Sequence, residues 1–209
     1  DKMPNQDVKE RNIGHVLQTA YTLFLAHGIE NTTKEMLVRA SGVSRSSIDR
    51  YFPSKADWVL DTAMWVGANL QNTDLQLQTR FAKADYSGLA MLKIYMETIR
   101  DSLYENPRQF VLGMECRAFA YRNCANYETG CGRLYRALGA SALLKQIFEI
   151  GGRDGSMRAD MDAAREAVLT RESLLGFFSS IAMSYNQAIL ADHVLVDRHI
   201  ERTLRFYTP

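Results

Sequence analysis

The residues with the clearest chemical potential lie in one short segment, SGVSRSSIDRYFPSKADW, at positions 41–58. Arginine can bond a guanine edge through two parallel hydrogen bonds, and serine can contact several base edges. Lys55 stands in the first turn of a predicted helix, where free backbone N–H groups and the helix dipole already attract phosphate. These residue types indicate recognition of double-stranded DNA. The side chains left on one outer face are Arg45, Ser46, Ser47, Asp49 and Arg50.

Two short helices joined by a tight turn are predicted to position those side chains. Gly42 permits the left-handed backbone that a sharp turn needs, and Ser44 caps the second short helix. Pro53 ends that helix, because the residue before a proline avoids the helical region. Ser54 and Asp57 repeat the capping pattern and begin a longer helix. A helix, a glycine turn and a second helix that can enter the major groove form the helix-turn-helix pattern.

Helical periodicity extends over the rest of the chain. Apolar residues between positions 13 and 26 recur at intervals of three and four, and Gly28 follows as a cap. Thr32 and Glu35 have the spacing of a capping box at the start of the next helix. Further helices are predicted over 87–105, 108–122, 124–150, 162–191 and 196–207, with a loop at GGRDGS, 151–156. With no hairpin signal, the chain is predicted to be all-α.

Composition narrows the possible classes of function. The 209 residues are 46% hydrophobic and 23% charged, with a net charge of +1, so DNA affinity must come from a local patch. The three cysteines indicate a reducing compartment rather than a disulfide scaffold. No secretion signal or membrane-spanning run is present. We find no metal spacing, cofactor motif or catalytic set of side chains, and therefore predict a cytoplasmic protein that is not an enzyme and needs no cofactor.

The stretch TLFLAHGIENTTKEMLVRASGVSRSSIDRYFPSKADW, positions 22–58, resembles the DNA-binding segment of the tetracycline-repressor (TetR) family. GSMRADMDAAREA, positions 155–167, more weakly resembles the family's loop into its eighth helix. The resemblance implies an N-terminal three-helix helix-turn-helix domain over residues 1–60, and a larger helical domain for effector binding and dimerisation over 61–209. The matching residues in the first stretch are Phe24, Gly28, Thr32, Thr33, Ala40, Gly42, Val43, Ser44, Tyr51, Phe52, Ser54 and Lys55.

By the same resemblance, Thr33, Tyr51 and Lys55 would contact phosphate. Ser46 stands where the family often has Gly or Pro, and Asp49 stands where it often has an aromatic residue. An acid facing DNA repels phosphate, yet it could also accept from a cytosine amino group or pair with Arg45 four residues earlier. The role of Asp49 therefore stays open. The full set of implied DNA contacts is Thr33, Lys34, Arg45, Ser46, Ser47, Asp49, Arg50, Tyr51 and Lys55.

Aromatic and methionine side chains are predicted to line an effector pocket in the C-terminal domain, because they form adaptable apolar cavities. For each of them ordinary core packing is the alternative. As a set they favour an apolar or aromatic small molecule of unknown identity. The predicted pocket residues are Trp65, Tyr95, Met96, Phe110, Met114, Phe119, Tyr135 and Phe177.

The last helices are predicted to form a homodimer interface. Their apolar face is broad, Gly176, Ser179 and Ser180 permit close approach, and two copies could bury it as a four-helix arrangement. Packing within one chain is the alternative. The predicted interface residues are Leu174, Phe178, Ile181 and Tyr185.

These features predict a dimeric, ligand-responsive transcription regulator, a repressor that a small effector releases from its DNA operator. The alternative is a small-molecule-binding or enzymatic helical protein whose DNA-binding segment is a relic, and Asp49 is the residue that favours it. Retention on heparin would distinguish a DNA-binding regulator from a protein with a relic DNA-binding segment. A purely structural or interaction module is a further alternative, and it would lack an internal cavity.

Overall fold

A computed structural model describes residues 4–123, 142–184 and 192–209, and every regular element in these ranges is an α-helix. The all-α prediction is confirmed, with an N-terminal helix-turn-helix followed by further helices. None of the described helices is long and apolar enough to cross a membrane. The helices are α1 Pro4–His27, α2 Lys34–Ser41, α3 Arg45–Tyr51, α4 Lys55–Phe81, α5 Gly88–Glu105, α6 Pro107–Asn123, α7 Ala142–Asp154, α8 Ala163–Ala182 and α9 His193–Tyr207.

The chain divides into two compact units. The first contains Asp1–Asn69 and Leu112–Leu138, and the second contains Leu70–Val111 and Gly139–Pro209. Two of the three divisions fall inside helices, one within α4 and the other within α6, and the third lies outside the described residues. The predicted boundary at residue 60 concerns domains that could fold and act separately, and these are not the same as compact units. It therefore stays a prediction.

The helices of the first unit pack around an apolar core, and the apolar spacing over positions 13–26 predicted the part of that core that α1 contributes. Val16, Ala20 and Phe24 of α1 are buried, as are Leu37 of α2 and Ile48 of α3. These residues come from different helices and join one apolar cluster, which therefore fixes the angle between the two short helices. The apolar stripe of α1 provides the brace that a helix-turn-helix needs.

The turns of this unit use the predicted local chemistry. Gly42 has φ +65°, and its N–H donates to the carbonyl of Val38 at the end of α2. Ser44 caps α3 by accepting from the N–H of Ser47. Ser54 and Asp57 bond each other reciprocally, since the Asp57 carboxylate accepts from the Ser54 N–H and the Ser54 hydroxyl accepts from the Asp57 N–H. These predicted caps are confirmed.

The capping box predicted at Thr32 is wrong by one residue. Thr33 caps α2, and its hydroxyl accepts from the N–H of Met36. Thr32 is buried, and its hydroxyl donates to the carbonyl of Gly28 at 2.7 Å. The first threonine thus satisfies a carbonyl at the end of α1, which leaves the second to cap the next helix. Glu35 is therefore not the partner in a capping box.

The second unit packs α5, α7, α8 and α9 around Leu92, Met96, Leu144, Ile147 and Phe178, all of them buried. The loop predicted over 151–156 is wrong in its first part, because α7 continues to Asp154. A Cβ added to Gly88 would lie 2.3 Å from the Cα of Gly151. The glycines in this stretch therefore allow α5 and α7 to meet closely, and only Gly155, with φ +74°, marks the turn.

Candidate nucleic-acid interface

Helix α3 has one buried face and one exposed face. Ile48 is 0% exposed and Phe52, which ends the helix, is 1% exposed. Arg45, Ser46, Asp49 and Arg50 are exposed, and Ser47 is half-buried. Because Ile48 anchors the helix in the core, the polar residues are held outward on a rigid element. This separation of faces is the arrangement that a recognition helix requires.

Four charged side chains form a connected chain across α2 and α3, which we call the charge quartet: Lys34, Asp49, Arg45 and Glu35. Lys34 Nζ lies 2.5 Å from Asp49 Oδ1. Asp49 Oδ2 lies 4.0 Å from Arg45 Nε, and Arg45 Nη1 donates to Glu35 Oε1 at 2.8 Å. The charges alternate in sign along this chain and sum to zero. Much of the positive charge on the predicted DNA-binding surface is therefore already paired.

Both acids of the charge quartet are held in their ionised form. The hydrogen bond from Lys34 lowers the pKa of Asp49 from its ordinary value. A backbone hydrogen bond lowers the pKa of Glu35, and Arg45 lowers it further. Two negative charges therefore stand beside Arg45 at neutral pH.

The structure resolves one alternative for Asp49 and adds a residue that the sequence analysis missed. Pairing of Asp49 with Arg45 is present, although the shorter contact to Asp49 comes from Lys34. Glu35 was not among the predicted site residues, since its spacing had been assigned to the capping box. Its partner Arg45 lies ten residues later on another helix. The only sequence signal for this pair is an acid in the first turn of α2 beside Lys34, a predicted DNA contact.

The remaining small polar residues on this face are engaged in capping. The Ser44 hydroxyl lies 3.2 Å from that of Ser46 and 3.0 Å from that of Ser47. Thr33, implied by the family resemblance as a phosphate contact, caps α2 and is exposed. Hydroxyl groups can rotate, so these side chains can exchange a neighbour for a phosphate or base acceptor without moving the backbone.

Arg50 and Tyr51 form a pair at the end of α3. The Arg50 guanidinium lies 5.5 Å from the centre of the Tyr51 ring, within the range of a cation–π contact. The Tyr51 ring meets Phe52 edge-on at 6.3 Å. Within residues 4–123, 142–184 and 192–209, Arg50 makes no ion pair. Unlike Arg45, it presents its charge without a competing carboxylate.

Lys55 is tied to the turn between α1 and α2. Its Nζ donates to the carbonyl of Glu30 at 3.0 Å. The Glu30 carboxylate accepts from Arg122 of α6 at 3.2 Å, and the N–H of Ile29 donates to Glu115 of α6 at 3.1 Å. A cleft of about 390 Å³ lies beside this turn, lined in part by Gly28 and Phe119. The Lys55 ammonium has two further N–H donors, so it can contact a phosphate while it stays bonded to Glu30.

The predicted pocket residues divide between the two units. In the first unit Phe119 is buried, Trp65 is half-buried against Tyr21, and Met114 is 37% exposed. In the second unit Tyr95, Met96 and Phe110 are buried in its core, and Phe177 stacks on His199 at 4.1 Å. Tyr135 lies outside the described residues. A common pocket lined by this set stays a prediction.

The predicted interface residues lie mostly inside the chain's own core. Leu174, Phe178 and Ile181 are 2%, 0% and 6% exposed, and Tyr185 lies outside the described residues. Their apolar face is covered by helices of the same chain, so it offers almost no area to a second copy. Helix α8 leaves another face exposed, on which Leu169, Ser173, Gly176, Ser180 and Met183 recur at intervals of four and three.

Comparison with known proteins adds the following findings. Residues 16–61 match the model for bacterial regulatory proteins of the tetR family. A TetR-family transcriptional regulator from Agrobacterium tumefaciens has a TM-score of 0.69 at 18% identity, covering 96% of this chain and 100% of that chain. Reduced NemR from E. coli gives 0.66 at 17% identity, with coverages of 92% and 96%.

Thermus thermophilus FadR, a TetR-family repressor in complex with lauroyl-CoA, gives a TM-score of 0.67 at 16% identity, with coverages of 92% and 91%. No curated protein sequence matches the chain. At these identities the similarity to solved structures shows the fold alone.

Proposed function

We propose that this chain, whose residues 16–61 match the model for bacterial regulatory proteins of the tetR family, is a transcriptional repressor. It binds a double-stranded operator as a homodimer and leaves the operator when an apolar effector binds. The observation that carries this proposal is the division of α3 into a buried face and an exposed face. Ile48 fixes the helix, while Arg45 and Arg50 face outward. Arginine is the side chain best suited to two-point contact with guanine.

The roles within this face differ by the chemistry of each residue. Arg45 and Arg50 read base edges, while Thr33, Tyr51 and Lys55 hold the backbone phosphates. Lys34, Ser46 and Ser47 lie beside the bases. Phosphate contacts provide affinity without sequence information, and base contacts provide discrimination.

The test is selection of bound duplexes from a random-sequence pool by the purified protein. A repressor of this kind should enrich a two-fold symmetric site whose half-sites are about one helical turn, or a multiple of it, apart. Titration of the enriched duplex and a scrambled duplex should then show preference for the first. Failure to enrich any sequence, together with weak retention on heparin, would favour the alternative of a relic DNA-binding segment.

The homodimer proposal is supported by the face that α8 and α9 leave uncovered in one chain. Leu169 of α8 is 61% exposed and Met183, the cap that follows α8, is 49% exposed, while Phe206 of α9 is 59% exposed. The exposed stripe on α8 has the three-and-four spacing of a helix–helix seam, and its small residues permit close packing. Two reading helices held by such a dimer can engage two half-sites at once.

The effector proposal rests on the apolar and aromatic content of the second unit. The FadR proteins of Thermus thermophilus and Bacillus subtilis were solved with lauroyl-CoA and stearoyl-CoA. Long acyl chains are one example of an apolar effector. Release would follow if the effector binds a conformer that fits the operator poorly. Adding lauroyl-CoA to the protein–operator complex, with free coenzyme A as the control, tests this example; an acyl-chain effector requires release by the first and not the second.

A further inference from the structure

The charge quartet places a carboxylate that has no assigned role against the principal base-reading arginine. Arg45 is 63% exposed, so its long side chain has little packing to hold it in place. Glu35 Oε1 accepts from its Nη1 at 2.8 Å, and Asp49 Oδ2 approaches its Nε at 4.0 Å. Glu35 is itself anchored in the first turn of α2. These contacts define where the guanidinium stands before DNA arrives.

A phosphate and a base edge meet this arrangement differently. A phosphate carries a full negative charge, and to reach Arg45 it must approach both Glu35 and Asp49, which repel it. A guanine edge is neutral, so it presents two acceptors to the arginine without that repulsion. The acids therefore oppose a contact between Arg45 and a phosphate, which carries no sequence information. They oppose a contact between Arg45 and a base edge, which does carry it, much less.

From this geometry we propose that Glu35 is a specificity-determining residue of the DNA interface, which keeps Arg45 away from backbone phosphates and reserves it for a base edge. This inference rests on the proposed function. Glu35 affects the ratio of specific to non-specific binding without itself contacting a base. It acts through Arg45, and it does so by charge.

Glu35 is a cleaner position to test than Asp49. Asp49 contacts both Lys34 and Arg45, so its removal leaves two cations free at once. Among the described residues the ion pair of Glu35 is with Arg45. Glu35→Gln removes the charge, keeps nearly the same shape and leaves the contact between Lys34 and Asp49 in place.

The experiment compares the wild-type protein, Glu35→Gln and Glu105→Gln by fluorescence anisotropy. Glu105 is an exposed acid at the end of α5, so its substitution changes the net charge equally without touching the interface. The probes are the duplex that the wild-type protein enriches from a random pool and a scrambled duplex of the same composition. Thermal unfolding confirms that each variant is folded.

Glu35→Gln should bind the scrambled duplex more tightly and lower the enriched-to-scrambled ratio by about fivefold per subunit, the effect of one close unit charge in water. Glu105→Gln should leave the ratio unchanged. In an Arg45→Ala background, Glu35→Gln should have no effect on the ratio, because the residue through which it acts is absent.

Three results would overturn the inference. An unchanged ratio in Glu35→Gln would do so, as would an equal fall in Glu105→Gln, or an effect that persists without Arg45. Each of these can occur while the wild-type protein still prefers its enriched duplex, and the proposed function would then stand. If the wild-type protein prefers no duplex, the proposed function itself fails.

Discussion

At the scale of single residues, the proposed DNA-binding surface contains two kinds of cation. Lys34 and Arg45 are paired with carboxylates, whereas Arg50 packs on a tyrosine and Lys55 bonds a backbone carbonyl. A phosphate that approaches the first kind meets a neighbouring carboxylate that repels it, whereas the partners of the second kind are neutral. On non-specific DNA, where Arg50 reads no base, attraction to phosphate should therefore come mainly from Arg50 and Lys55.

Lys55→Ala should weaken binding to all duplexes alike. One phosphate contact contributes about 0.9 to the slope of log K against log salt, so a dimer should lose about twice that. Titration of the enriched and scrambled duplexes at several salt concentrations measures both effects. Lys93→Ala is the matched control, because Lys93 is an exposed lysine of the second unit that lies 3.9 Å from Glu97. An unchanged slope in Lys55→Ala would remove Lys55 from the phosphate contacts.

Asp49→Ala should raise affinity for scrambled DNA, because it removes a negative charge and frees Lys34 and Arg45 together. Binding to the enriched duplex should change less than binding to the scrambled one. The same titrations distinguish this role from base reading. If Asp49 accepts from a cytosine amino group, affinity for the enriched duplex should instead fall by more than about fivefold, the loss expected for a base contact.

At the scale of elements, the crossing of α5 and α7 depends on two glycines. A Cβ at Gly88 would meet the backbone of Gly151 at 2.3 Å, and backbone cannot rotate away as a side chain can. Gly88→Ala should therefore lower the free energy of unfolding by about 1–3 kcal/mol, the usual effect of overpacking. Urea denaturation measures it.

Gly152→Ala is the matched control for that crossing. Gly152 lies in α7 next to Gly151, and an added Cβ there meets nothing within 4 Å. Alanine also has the higher helix propensity, so this variant should be as stable as the wild-type protein or more so. If Gly88→Ala and Gly152→Ala lose equal free energy of unfolding, the close approach of α5 and α7 is not the reason that position 88 requires glycine.

The packing of α8 against α9 should depend on pH through His199. Burial lowers the pKa of His199 from 6.5, with a contribution from Arg202, and its ring stacks on Phe177. At a pH between the lowered pKa of His199 in the folded chain and its ordinary pKa in the unfolded chain, the unfolded chain binds more protons than the folded one. Stability should consequently fall as the pH falls through 6.5, and the loss should be complete below the folded pKa.

His199→Phe keeps an aromatic ring against Phe177 and removes the titrating group. Urea denaturation on either side of pH 6.5 should show a smaller difference in this variant than in the wild-type protein. Other groups titrate in both proteins and cancel in the comparison. An equal difference in both would show that His199 does not contribute.

Signals that are local in sequence predicted the fold well. The caps at Ser44 and Ser54 and the turn at Gly42 each depend on residues a few positions apart. Gly151 was misread as loop because its partner, Gly88, lies 63 positions earlier, beyond any local pattern. The contacts of Asp49 with Lys34 and of Arg45 with Glu35 likewise depend on the angle between α2 and α3, and spacing alone does not give that angle.

At the scale of the whole molecule, the apolar periodicity of α8 correctly indicated a packed face but did not identify what covers it. Leu174, Phe178 and Ile181 turned out to be covered by the same chain. An apolar stripe has the same appearance in sequence whether a neighbouring helix or a second copy buries it. The exposed fraction of each side chain in the folded chain distinguishes the two cases. It moves the dimer proposal from the buried residues to the exposed Leu169 and Met183.

Leu169→Arg should therefore convert the proposed dimer to a monomer, because it places a charge on the exposed stripe of α8. Operator affinity should fall with it, since one subunit engages only one half-site. Light scattering and duplex titration measure the two effects. Tyr121→Arg is the matched control, because Tyr121 is 80% exposed on α6 of the first unit. A wild-type protein that is monomeric at micromolar concentration would contradict the dimer proposal directly.

The charge quartet also has a consequence for the number of molecules a cell must make. A chromosome offers about 10⁶–10⁹ competing sites, and a strongly basic reading surface would leave nearly every copy of the protein bound to them. A surface that pairs its own charges lets more copies dissociate and sample new positions. Under the proposed function, fewer molecules then suffice to keep one operator occupied, and a modest amount of effector suffices to empty it.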